Sequence, residues 1–280
     1  MSKKDFYEKS IVLIGPTGCG KGLISVKLAQ KLKMPIISTG TLKYCPSTLE
    51  EIDAEIEAYT KLREDLKEEF RNVRDLRRRK NIRQESNLAK GCIQRLNKMA
   101  HARTLCPHVS NYEKLGYDVE VARRLGKKYG TVAWHYYQKQ FEGQFLDEIM
   151  QDVWSPCILD VDGGLPISLE EQYAKLDKRF RATDENKYLL YSDLDEIGFA
   201  KTYEKFLNFK HVVHLCLPEN YKNTMLKAGS EPLNELFIAT GQYEQLQTSQ
   251  VCVEGLVDYG EKDEERLEQI VDTIIKTEVE

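Results

Sequence analysis

The stretch IVLIGPTGCGKGLISVKLAQKL, residues 11–32, decides how the rest of the chain is read. It opens on an apolar run, Ile11 to Ile14, with the unbroken hydrophobicity of a strand buried on both faces. It closes on an amphipathic pattern that predicts a helix over about 22–33. Between them, Gly15, Pro16, Thr17, Gly18, Cys19, Gly20 and Lys21 fit G-x-x-x-x-G-K, and Gly22 follows. The glycines permit a tight turn in which successive amides and the helix N-terminus face anionic oxygens. Residues 15–22 are therefore expected to cradle a nucleotide's phosphates, with Lys21 reaching the outer two. Gly22 stands where a hydroxyl residue usually meets magnesium, and the nearest later hydroxyl is Ser25. A metal at this loop would have to be held through water and a carboxylate.

Four further apolar runs read as strands: 34–39, 156–161, 211–217 and 250–255. Helical patterns lie between them, which predicts an α/β fold with a five-stranded parallel sheet between two helical layers. One connection is far too long for a single crossover helix. Within it, apolar residues at 49, 52, 56, 59, 62, 66, 70, 73 and 76 form one helical stripe. Ser47 and Glu50 have capping-box spacing at its start. A second stripe follows at Leu88, Cys92, Leu96 and Met99. The expectation is a single domain over 1–280, with a core of about 1–46 and 110–280 and a helical hairpin inserted at about 47–109.

Net charge is 41 − 45 = −4, so no global basic field calls for nucleic acid or acidic lipid. The seven cysteines contain no C-x-x-C pair and suit free thiols in a reducing compartment. The first apolar run is too short for a signal peptide or a membrane span, so a cytoplasmic protein without a membrane partner is expected. The run RNVRDLRRRKNIR, 71–83, carries seven positive residues. Near a helix C-terminus such a run is expected as a solvated face matched to the helix dipole, although a substrate or partner contact would use the same residues.

The Gly-Lys-Gly ending resembles adenylate and related nucleoside monophosphate kinases. Residues 35–42, PIISTGTL, are similar to the Ser-Thr-Gly-Asp-Leu segment those kinases carry after their second strand. Thr41 departs from the family's aspartate and Leu23 from its threonine. The later chain is similar to shikimate kinases: DVDGG (160–164) stands at their Gly-Gly-Gly turn. Lys139 and Glu142 have the spacing of their Arg-x-x-Glu helix, and 228–246 looks like their lid, with Glu231 in place of its arginine. The resemblance implies a P-loop kinase fold, ATP and Mg2+ as cofactors, and a lid over 228–243. The inserted helices and residues 165–208 have no counterpart in it. Residues 11–37 are also similar to tRNA isopentenyltransferases, but the aspartate those enzymes carry after the second strand is missing, and the similarity stops past residue 45.

Asp160 and Asp162 lie at the end of the third predicted strand, the edge where open α/β sheets bind ligands. Either could hold magnesium through water or take the proton of an attacking hydroxyl, Asp160 being favoured for the metal. Strand alternation predicts both side chains on one face. Gly163 and Gly164 would let an acceptor approach the backbone, with Ser38, Thr39 and Lys139 as further acceptor contacts. His101, Cys106 and His108 lack a fourth ligand at zinc spacing. No arginine occurs between Arg181 and Arg266, although planar guanidinium groups usually clamp a transferring phosphoryl. Three readings follow. The first is an ATP-dependent phosphotransferase acting on a small hydroxylated or phosphorylated metabolite. The second is a nucleotide-binding pseudokinase that meets a protein partner, or a second copy, through its helical insertion. The third is a tRNA-modifying transferase, with RNA as its partner.

Overall fold

The computed structural model describes residues 2–15, 19–129, 131–162, 202, 204–216, 249–252 and 261–279. Five strands form one all-parallel sheet: β1 (Ile11–Ile14), β2 (Ile36–Ser38), β3 (Ile158–Asp160), β4 (His211–Cys216) and β5 (Ser249–Cys252), in the order β2-β3-β1-β4-β5. All five predicted strands are present; β1 matches its apolar run and the other four are shorter than theirs. Parallel strands need crossovers that lay helices on the faces of the sheet, which is why these strands are apolar on both sides.

The alternation along β1 sorts the core into two layers. Ile11 and Leu13, with Ile158, Val213, Leu215 and Val251, pack beneath α2 (Lys21–Leu32) and α8 (Glu261–Glu278). Val12 and Ile14, with Ile37, Leu159 and Val161, face α6 (Val119–Tyr129) and α7 (Thr131–Asp152). Phe6 of α1 (Lys3–Lys9) closes that layer, fully buried. The seven-residue α1 carries too little periodicity to be read from sequence, though its Ser2–Asp5 capping box is complete.

A short α3 (Thr39–Leu42) follows β2 and leads into the long hairpin of α4 (Leu49–Asn72) and α5 (Leu76–Leu105). Ile52, Leu96, Met99 and Cys45 seal its base. The capping box is Thr48 with Glu51, one residue beyond the expected Ser47–Glu50 pair. The apolar stripe is narrower than its sequence suggests: Leu49, Leu62, Leu76 and Leu88 are exposed.

The predicted continuous helix through residue 76 breaks after Asn72, and Asp75 caps α5 through the Arg78 amide. The basic run is therefore the tip of the hairpin. Arg77, Arg78, Arg79 and Lys80 open α5, where the helix dipole disfavours cations. Local partners offset this: Arg78 forks onto Glu69 and reaches Glu85, while Arg79 and Arg83 stack over Phe70. Among the described residues, no helix is long and apolar enough to cross a membrane.

Candidate functional site

The strand order opens a crevice at the sheet's C-terminal edge. The chain leaves β1 towards β2 and leaves β4 towards β5, so the two connections diverge above neighbouring strands. Gly15 sits at that point with φ +146°, and a Cβ there would lie 2.8 Å from the Leu215 carbonyl oxygen and 3.1 Å from Cys19 Sγ. Gly20 takes φ 90° as the N-cap of α2, without a side-chain cap. Both glycines are required by backbone geometry. Gly15→Ala is expected to destabilise the protein by about 1–3 kcal/mol, read as a lower urea midpoint. Gly22→Ala, where an added Cβ meets nothing within 4 Å, serves as the neutral control. Pro16, Thr17 and Gly18 lie outside the described residues.

Lys21 opens α2, and its buried side chain turns back over the loop: Nζ donates to the Gly15 carbonyl at 2.7 Å and lies 3.8 Å from Cys19 Sγ. Burial raises the Cys19 thiol pKa, so the thiol is not a ready nucleophile. Asp160, the last residue of β3, shares this space. Its pKa is raised, first by desolvation and then by Asp162, while Lys21 and a Ser38 hydrogen bond pull it the other way. Strand β3 thus delivers one half-buried carboxylate within electrostatic reach of the buried Lys21 ammonium.

Asp162 belongs to a different group. Strand β3 stops at Asp160, so alternation no longer governs where Asp162 points. Its amide N–H donates to Thr39 Oγ1 at 2.8 Å. Its carboxylate is ion-paired with Lys43 Nζ. Gly40 lies against it, with a built Cβ 3.9 Å from the Asp162 side chain. Ser38 hydrogen-bonds the Asp160 side chain, while the Thr39 hydroxyl bridges the two residues, donating to the Asp160 carbonyl at 3.4 Å and accepting from the Asp162 amide.

Beyond Lys43 the site continues into an aromatic layer. The Tyr44 and Tyr112 rings meet edge to face at 6.0 Å, and Tyr112 is fully buried against Tyr117 and Phe145. The Tyr112 amide donates to the Lys43 carbonyl, fixing this layer to α3. Buried Gln138 and Glu142, one turn apart on α7, stand beside it, with Nε2 and Oε1 3.5 Å apart. The expected Lys139–Glu142 pair thus contributes Glu142 to this neighbourhood, and the Lys139 side chain lies outside the described residues, as do Gly163, Gly164 and the expected lid.

Sequence reasoning missed Lys43, Tyr112 and Gln138. Lys43 carried a signal, since it follows the Ser-Thr-Gly turn of α3 directly. Among the described residues, no group of three or more His, Cys, Asp or Glu side chains is arranged to hold a metal. Magnesium commonly takes only one or two carboxylates and keeps several waters, so the half-buried Asp160 near the loop fits that ion. His214 is buried on β4 with its Nδ1 3.5 Å from Cys216 Sγ, whereas His211 pairs with Glu278 at 3.1 Å. No family model, curated protein or solved structure matches this chain.

Proposed function

We propose that this chain is an ATP-dependent phosphotransferase whose nucleotide lies along residues 15–22. The observation that carries the reading is the buried Lys21 ammonium turned onto the Gly15 carbonyl, with the half-buried Asp160 carboxylate within its electrostatic reach, at a glycine-turned loop on the diverging edge of the sheet. Its electrostatics suit a terminal phosphate. Lys21 offers a buried cation and the uncapped amides of α2 face the same space. Asp160 would hold Mg2+ through water, and the ion would neutralise charge on the outer phosphates.

The acceptor then enters from the Asp162 side. Its hydroxyl oxygen forms a bond to the γ-phosphorus as the bond from that phosphorus to the ADP oxygen breaks. The hydroxyl proton passes to the Asp162 carboxylate, and Lys43 holds that carboxylate in place. The different cations beside the two aspartates, Lys21 near Asp160 and Lys43 on Asp162, suit separate duties, one towards the nucleotide and one towards the acceptor.

The test is ADP release from magnesium-ATP in the presence of a small-metabolite extract. The wild type is expected to show extract-dependent release, and Lys21→Ala about 10²-fold less or lower. The Lys43–Asp162 pair also favours a second reading, in which the cation nearest the acceptor side is neutralised and nucleotide binds without turnover. ATP binding that depends on Lys21, with no ADP release under any condition, would select that second reading.

A further inference from the structure

We infer that the solvent face of α5 is a docking surface for duplex DNA and lies along its major groove.

Arg77, Lys80, Gln84, Asn87, Gly91 and Arg95 recur along α5 at steps of three and four residues, and all are exposed. Lys98 continues the stripe, which runs for roughly 30 Å at the rise of an α-helix. The other side of the helix carries Ile82, Ala89 and Leu96, buried where α5 packs on α4. The stripe holds cations at both ends and side-chain amides between them, without a carboxylate. Glu85 is the exposed acid of α5 and is paired with Arg78, which also holds Glu69. Among the described residues these are the ion pairs of α5, so the four cations of the stripe face solvent without one. A chain of net charge −4 has gathered a basic field along one helix.

The fold itself does not account for that field. Arg77 and Lys80 stand in the first turns of α5, against its dipole, without the carboxylate or aromatic partners that Arg78, Arg79 and Arg83 have. Gly91 is a second, independent observation. A glycine inside a helix costs about 1 kcal/mol against alanine. Yet a Cβ built at Gly91 meets nothing within 4 Å, so packing does not require the glycine. A partner that approaches the backbone closely does require it.

Charge complementarity selects a polyanion as that partner. Leu76 and Leu88 are exposed but fall on opposite flanks of the stripe, so the face lacks the joined apolar patch that protein partners and membranes use. The end cations suit backbone phosphates, which supply affinity, and Gln84 and Asn87 suit base edges, where amides pair with adenine. The major groove of B-form DNA admits an α-helix, whereas that of an A-form RNA stem is too narrow and deep.

The experiment uses the full chain without ATP, so its outcome is independent of the phosphotransferase reading. Fluorescence anisotropy with a labelled random-sequence DNA duplex should show binding whose log K falls with log salt at a slope of about −3 to −4, as four phosphate contacts require. Replacing Arg77, Lys80, Arg95 and Lys98 with glutamine should weaken binding at least about tenfold and flatten the slope. Neutralising Lys4, Lys61, Lys67 and Lys276, which are also exposed, removes the same charge elsewhere and should leave the affinity within about threefold. Gly91→Leu keeps every charge and should weaken binding about tenfold while the urea midpoint stays level or rises. Equal losses in the two charge variants would show adhesion to charge alone and overturn the assignment. A neutral Gly91→Leu overturns insertion into the groove. Tighter binding to an RNA stem or to anionic lipid vesicles overturns DNA as the occupant. So does a salt-sensitive dimer without DNA binding, in which the acidic α4 of a second copy would cover this face. Wild type that fails to bind the duplex at low salt overturns the inference whether or not the variants fold.

Discussion

Asp160→Asn is expected to raise the melting temperature of the metal-free, nucleotide-free protein at neutral pH and, on the proposed reading, nearly to abolish phosphotransfer in the same molecule. The stability half follows from the sign of the pKa shift. Burial disfavours the Asp160 carboxylate more than Lys21 and Ser38 favour it, so the folded-state pKa stands above the unfolded value. Such a group contributes stability fully below its unfolded pKa and loses that contribution as pH rises through the folded pKa. At pH 7 the wild type therefore carries an ionised group that its surroundings disfavour. The neutral amide removes that charge at similar volume. The gap between mutant and wild type should narrow as pH falls through the folded-state pKa and close below about 3, where the carboxyl is protonated in both states. Thermal melts in EDTA across this range test the sign. A mutant that melts lower at pH 7 would mean that the Lys21 and Ser38 contacts outweigh desolvation. The activity half follows from the proposed role: without the Asp160 carboxylate, the magnesium that would neutralise the transferring phosphoryl would lose its protein anchor, and kcat should fall by about 10²–10³-fold. A gain in stability joined to a loss of rate is what a site built against its own folding preference predicts.

The sheet was legible because burial on both faces leaves unbroken apolar runs, and Ile11 to Ile14 or His211 to Cys216 could be little else. The glycine turns between β1 and α2 were legible because the backbone at positions 15 and 20 takes positive φ, which glycine tolerates best. The hairpin was legible in its period but not in its turn. Apolar steps continue through Val73 and Leu76, and the break at Asn72 depends on Asp75 capping a new helix. That misplacement also inverted the dipole argument for the arginines. The acceptor side was hidden for a different reason. Lys43, Tyr112, Gln138, Glu142 and Asp162 come from four separated segments, and only the packing of α3 and α7 over the end of β3 makes them neighbours. Periodicity reports which face of an element is buried; it says nothing about which buried polar groups meet.

Arg103→Met is expected to be the most destabilising single change outside the sheet. Arg103 lies in the last turn of α5 and is 3% exposed. No carboxylate accompanies it among its hydrogen-bond partners, which are all main-chain carbonyls. Nε and Nη2 donate to Pro46 at 3.2 and 3.0 Å, and Nη1 donates to Cys106 at 3.2 Å and also to Val109. One guanidinium thus ties the residue before α4, the end of α5 and the loop beyond it into a single base for the hairpin. Its planar fork serves three carbonyls at once, which a lysine ammonium could not do without bending the chain. Methionine fills similar volume but leaves those carbonyls buried without donors, at roughly 1–3 kcal/mol each before relaxation. A total loss of about 3–5 kcal/mol is therefore expected as a lower urea midpoint, with Arg103→Lys recovering only part of it. The effect should reach the site, because the same segment continues through Cys45, whose carbonyl accepts from Asn111 Nδ2 at 2.9 Å, to Lys43 and Asp162. In conditions where Arg103→Met remains folded, the KM for the acceptor should rise while ATP binding at residues 15–22 is retained. A mutant with an unchanged urea midpoint would show that water replaces the guanidinium, and that the hairpin base is wetter than its 3% exposure implies.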